Sequence, residues 1–160
     1  MTTAAEPDDP QWLTPGELRA WLSVVQLLVR LPSAIDSQLQ RDADMSMAEY
    51  MAMAMLSHSP QRTMRMSALA ERTNASLSRL SHLVKRLENR GWIRREQDSL
   101  DARVTNAVLT DAGFDRLSAA APDHVRNVRR LVLDVLPTGH LRRIGQDATA
   151  IVAAIDADQD

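Results

Sequence analysis

Cysteine is absent from the 160 residues. That excludes a disulfide framework, thiolate metal ligands, a nucleophilic thiol and every thiol redox sensor, and it fits a reducing cytosol. No unbroken run of 18 apolar residues occurs, nor a basic segment followed by an apolar stretch. The expectation is a soluble, cytoplasmic protein with no membrane partner. A Gly-rich phosphate loop and an HExxH helix are missing as well. The histidines, His58, His82, His124 and His140, are scattered, and the acidic residues sit mostly at helix caps or in tails. Catalysis and a bound cofactor are therefore not expected. Internal repeats and low-complexity tracts are also lacking.

What is present is an uneven charge distribution. The net charge is −2, which evenly spread would speak against a polyanionic partner. Between Arg62 and Arg103, however, ten Lys/Arg stand against five Asp/Glu. Residues 1–61 hold three against eight and residues 104–160 hold six against eight. A basic centre between acidic ends concentrates positive potential on one part of the surface.

The centre also has a recognisable order of parts. Leu69 and Ala70 belong to a short helix, and Asn74 sits at a turn that suits its tolerance of left-handed backbone. Ser76 caps a second helix. Its apolar residues Leu77, Leu80, Leu83, Val84 and Leu87 fall within an arc of about 120°. Ser78, His82, Lys85 and Asn89 occupy the opposite arc, with Arg79 and Arg86 at its border. The leucines are expected to hold the helix to the core while the polar face enters a major groove. Ser78, Arg79 and His82, near the helix start, are candidates for base contact and Lys85 and Arg86 for phosphate, with the capping Ser76 and the wing's Arg94 and Arg95 also counted as DNA-binding. Gly91 ends the helix, and Trp92 and Ile93 begin a hairpin. Arg94 and Arg95 lead to its tip, where Arg103 can reach a minor groove and Asp101 can orient it. This arrangement predicts a winged helix-turn-helix bound to double-stranded DNA.

The flanks read as helices. Thr14, Pro15 and Glu17 open one whose stripe is Leu18, Trp21, Leu22, Val25, Leu28 and Val29. Pro32 should kink or interrupt it before Ile35 and Leu39. Ser46 and Glu49 form a second capping box, opening a helix to about Ser57 with a methionine cluster read as adaptable core. Thr110 caps a helix that Pro122 should bend or break. Leu141, Ile144, Ala148, Ile151, Val152 and Ile155 make the last amphipathic helix. These stripes exceed what one small lobe can cover, and a two-fold homodimer buries them economically. The fold class is mainly α with a small β-wing. Residues 1–13 form a flexible tail, 14–42 an N-terminal dimerisation helix, 43–110 the DNA-binding lobe, and 111–160 the C-terminal dimerisation helices.

The stretch MSALAERTNASLSRLSHLVKRLENRGWIRREQDSLDARVTNAVLTDAGFDRL, residues 66–117, resembles the MarR (multiple antibiotic resistance regulator) family of bacterial transcription factors. The likeness lies in the leucine-alanine helix, the Ser-led recognition helix ending in Arg-Gly, the Asp-x-Arg wing, and Leu109, Thr110 and Gly113. It extends in element order over about residues 14–157. It implies a homodimeric, ligand-responsive repressor on a pseudo-palindromic operator, with a small aromatic or phenolic effector. It also implies a ligand pocket near Trp21, Tyr50, Met51, Met55 and His124. Two departures stand out. Ser99 and Ala102 replace the Pro and Arg common in the family's wing, and the absence of Cys rules out its thiol-based peroxide sensing. The competing readings are a winged helix that docks to proteins, which would need an apolar recognition face, and a metal-responsive regulator, which would need His58 and His124 to converge.

Overall fold

The structure, a computed structural model, describes residues 11–98, 101 and 103–158. Most of the expected flexible tail, and Ser99 and Ala102 of the wing tip, lie outside the described residues. The chain divides into two compact units, Met1–Ser33 and Ala34–Asp160.

Helix α1 spans Pro15–Ala43. At its start Thr14 N donates to Glu17 Oε2 (2.8 Å) and Glu17 N donates to Thr14 Oγ1 (3.3 Å), the expected reciprocal cap. Helical structure continues through Pro32, so the expected interruption does not occur. The proline forfeits one backbone hydrogen bond, and the burial of Ile35, Leu39 and Ala43 beyond it offsets that loss. In the first unit Leu18, Trp21, Leu22, Leu28 and Val29 are exposed. Among the described residues α1 is also the one helix long and apolar enough, by length and composition, to cross a membrane. Counting unbroken apolar runs missed this, because Arg19, Ser23, Gln26 and Arg30 interrupt the stretch.

In the second unit, α2 (Met47–Ser57) opens with the capping box of Ser46 and Glu49. A 3-10 turn at Pro60–Arg62 follows, with Gln61 and Arg62 both left-handed (φ 53° and 54°). The turn delivers the chain into β1 (Thr63–Arg65), a strand the sequence reading did not anticipate. Helix α3 (Met66–Arg72) leads to Asn74, whose φ of 48° makes the expected left-handed turn. Helix α4 (Leu77–Asn89) ends at Gly91 (φ 72°). Strands β2 (Ile93–Gln97) and β3 (Thr105–Leu109) then form the hairpin.

The sheet order is β1-β3-β2, all antiparallel, with Thr63 opposite Val108 and Ile93 opposite Leu109. The hairpin is therefore two strands of a three-stranded sheet. Because β3 is central, Ala107, Val108 and Leu109 are consecutively buried instead of alternating. Leu39, Met45, Met53, Leu56, Leu69, Leu80, Val84, Leu87 and Ile93 fill the core around it.

Helix α5 (Asp111–Val128) passes through Pro122 without a break. Leu117 and Ala120 before the proline and Asn127 after it are buried, and that packing carries the helix across the missing donor. A π-helical segment, Arg129–Leu133, extends it. After Gly139 (φ 82°), α6 (His140–Ala157) presents Leu141, Ile144, Ile151, Val152 and Ile155 to solvent and buries none of its residues.

Candidate nucleic-acid interface

Helix α4 is anchored through one face. Leu80, Val84 and Leu87 are buried, Leu83 is partly so, and the Ser76 hydroxyl accepts from Arg79 N (3.3 Å) as its cap. Leu77 corrects the expected arc. It is 56% exposed, because the first helical residue projects past the packed layer into a surface cleft beside the wing.

On the outer face Ser78, Arg79, His82, Lys85 and Asn89 are exposed. None of the five side chains makes a hydrogen bond or ion pair with another described residue. Flexible donors left without internal partners, on a helix whose other face is fixed, are available to a ligand outside.

Arg86 is differently placed. Its Nε lies 3.3 Å from Glu49 Oε1, and the two side chains are 58% and 6% exposed. The other oxygen of Glu49 accepts from Ser46 N at 2.9 Å. One carboxylate thus closes the α2 cap and ties α4 to α2. Arg95 is similarly engaged: its Nε stands 3.0 Å from Glu88 Oε2, its Nη2 donates to the Ser81 carbonyl (3.0 Å), and its backbone N donates to Glu88 Oε1 (3.1 Å). Arg94 pairs with Glu96 on the exposed surface (2.6 Å). Glu49 and Glu88 are the arginines' partners, which the sequence reading missed.

The wing tip is braced from within. Asp101 accepts from Arg103 at three points: backbone N (3.0 Å) and Nε (3.1 Å) to Oδ1, and Nη2 (3.2 Å) to Oδ2. These bonds, the side-chain ones first, hold the Asp101 carboxyl below the usual carboxylate range. The Arg103 side chain remains 90% exposed, so the guanidinium is oriented yet accessible. Asp98 receives Asp101 N (3.3 Å) and Asn106 Nδ2 (3.2 Å), which ties the turn to β3.

Where the wing joins α5, Thr110 Oγ1 donates to the Gly91 carbonyl (2.7 Å) and accepts from Gly113 N (3.0 Å). Gly113 lies so close to the Trp92 carbonyl that a Cβ would collide with it. The Leu-Thr-x-x-Gly spacing is thus a packing requirement.

The expected ligand-pocket residues are only partly brought together. The Tyr50 and His124 rings meet at 4.4 Å between centroids, tilted by 43°. Burial pushes the Tyr50 phenol above its ordinary pKa and His124 below its own. His124 Nδ1 is buried without a hydrogen-bond partner among the described residues. Met51 and Met55 lie on α2, partly exposed, whereas Trp21 belongs to the first unit. Among the described residues no three His, Asp or Glu side chains gather to hold a metal ion.

Comparison with known proteins agrees with this geometry. Residues 45–105 match the MarR family model. The chain is 39% identical to Sco3205 of Streptomyces coelicolor, a MarR family transcriptional regulator solved in complex with DNA. That likeness covers 92% of each chain at a TM-score of 0.88. AbsC, a MarR family transcriptional regulator from the same organism, is 34% identical over 92% of this chain and 99% of its own, at a TM-score of 0.87. A 55-residue stretch is 38% identical to the HTH-type transcriptional regulator PecS of Dickeya dadantii, covering 34% of this chain and 33% of PecS. With an exposed recognition face, a braced wing and a likeness to two such regulators over 92% of its length, the chain belongs to the MarR family of DNA-binding transcriptional regulators.

Proposed function

We propose that this protein is a sequence-specific repressor that binds a pseudo-palindromic operator as a homodimer and releases it in response to a small aromatic or phenolic effector. The observation that carries the DNA reading is the set of exposed, unpartnered side chains on α4. Ser78, Arg79 and His82 meet base edges in the major groove, Lys85 meets phosphate, and Arg103, held by Asp101, enters the adjacent minor groove. Ser76, Arg86 and Arg95 serve chiefly to hold α4 in place, and Arg94 lies at the periphery. The recognition face is polar and basic, which disfavours the protein-docking alternative.

The exposed stripes of α1 and α6 are each covered by a second copy, which supplies the dimer and accounts for the apolar character of α1 in a cytoplasmic protein. The effector site is centred on Tyr50 and His124. Support for that placing is the tilted Tyr50–His124 ring pair and the buried His124 Nδ1, which has no partner among the described residues. This reading assigns the protein no catalytic step.

Selection of bound duplexes from a randomised pool tests the reading. Enrichment of two related half-sites about 10 bp apart, centre to centre, is expected. Recovery of unrelated sequences, or of a single asymmetric site, would refute it.

A further inference from the structure

Beside the helix and the wing tip lies a third basic feature. A cleft of about 350 Å3 opens between the end of β1, the start of α3, the first turns of α4 and the wing. Its lining includes Arg65, Arg95 and Arg103 together with Ser67, Ser81 and Thr105, and no acidic residue among the described residues. The three arginines differ in their commitments. Arg95 is held by Glu88 and the Ser81 carbonyl, and Arg103 by Asp101. Arg65 is exposed and has no side-chain hydrogen bond or ion pair with a described residue. It occupies the position that caps α3, yet contributes no side-chain cap. Beside the bonds from Arg103, its charge helps to hold the nearby Asp101 carboxyl ionised, but it forms no direct pair there and its donors remain open.

Arg95 and Arg103 already have carboxylate partners, so Arg65 is the guanidinium of this cleft whose donors are left for an anion. A tetrahedral phosphodiester suits the site, because guanidinium donors are forked and the serine and threonine side chains can supply further donors. The exposed Leu77 on the same wall offers apolar surface to a sugar. The cleft also lies between α4 and the wing, so a backbone running from a major groove to the neighbouring minor groove would cross it.

We infer that this cleft seats a backbone phosphate of the bound duplex and that Arg65 is a DNA contact additional to the recognition helix and the wing tip. The inference rests on the DNA-binding reading above. A phosphate contact adds affinity without sequence preference and registers in the salt dependence.

The test titrates wild type, Arg65→Ala and Arg65→Lys against the selected operator and a scrambled duplex at several salt concentrations. Arg65→Ala is expected to weaken binding to both duplexes by the same factor. It should also flatten the slope of log K against log salt by about 0.9 for each protein copy on the DNA. Arg65→Lys is expected to keep the wild-type slope. Thermal unfolding should match wild type in both variants, since no cap is removed. If wild type binds no duplex, the DNA reading itself fails. If wild type binds and Arg65→Ala keeps its slope, this inference alone fails, and a changed operator preference would likewise overturn it by making Arg65 a base reader.

Discussion

Arg86 offers a sharp test, because sequence and structure assign it different tasks. On the helical wheel it borders the DNA face, whereas in the fold it neutralises Glu49, whose side chain is 6% exposed. Arg86→Ala strands that carboxylate, which keeps its bond from Ser46 N but loses its counter-charge. Leaving a buried acceptor without a partner costs about 1–3 kcal/mol. The cost stays below the 3–5 kcal/mol typical of a fully buried pair, because the guanidinium itself is largely in water. At about 2–4 °C for each kcal/mol in a protein of this size, the melting temperature should fall by about 6 °C. Glu49→Gln combined with Arg86→Ala should recover much of the loss, since the amide oxygen still accepts from Ser46 N and no charge remains buried. Lys85→Ala is the contrasting variant, expected to keep the melting temperature and to lower the salt slope of DNA binding by about 0.9 per copy. Circular dichroism melts and duplex titrations read both effects. A melting temperature for Arg86→Ala within about 1 °C of wild type would refute the reasoning.

Gly113→Ala should cost at least the 1–3 kcal/mol of an overpacked core, because the new methyl meets the Trp92 backbone, which cannot swing aside as a side chain can. A chemical denaturation midpoint equal to wild type would contradict that. His124 has its folded pKa depressed below 6.5 by burial. The stability from keeping it neutral is therefore fully present above pH 6.5 and is lost as pH falls through the folded value. Melts between pH 7.5 and 5 should show a steeper decline for wild type than for His124→Gln, and parallel curves would remove His124 as the cause. Ending the chain at Gly139 should turn a dimer into a monomer or an aggregate by removing the exposed α6 stripe. Light scattering that finds the full-length protein monomeric would sink the dimer proposal.

Much of the DNA-binding lobe was legible because its signals are local. Ser46 with Glu49, Ser76 ahead of the leucine arc, left-handed Asn74 and Gly91, and the cap at Thr110 all act within about four residues, the range over which a helix end is decided. Strand β1 was not legible. Three residues show no alternation, and the chain enters them through Gln61 and Arg62, which carry no turn signature. At Pro32 and Pro122 the helix is not interrupted: the local penalty of proline was visible in the sequence, while the tertiary packing that offsets it was not. The roles of Arg86 and Arg95 were hidden for a related reason. In the sequence they are two more positive charges, and only the fold brings Glu49 to one and Glu88 to the other.

The central claim, that an exposed face of α4 reads base sequence while the wing and neighbouring cations add affinity, is tested most directly by one ratio. Wild type is titrated against the selected operator and a scrambled duplex of equal length at one physiological salt concentration. Operator binding tighter by about a thousandfold or more is expected, with Arg79→Ala narrowing the ratio and Arg103→Ala weakening both duplexes while leaving it nearly intact. Equal affinity of wild type for the two duplexes would contradict the account.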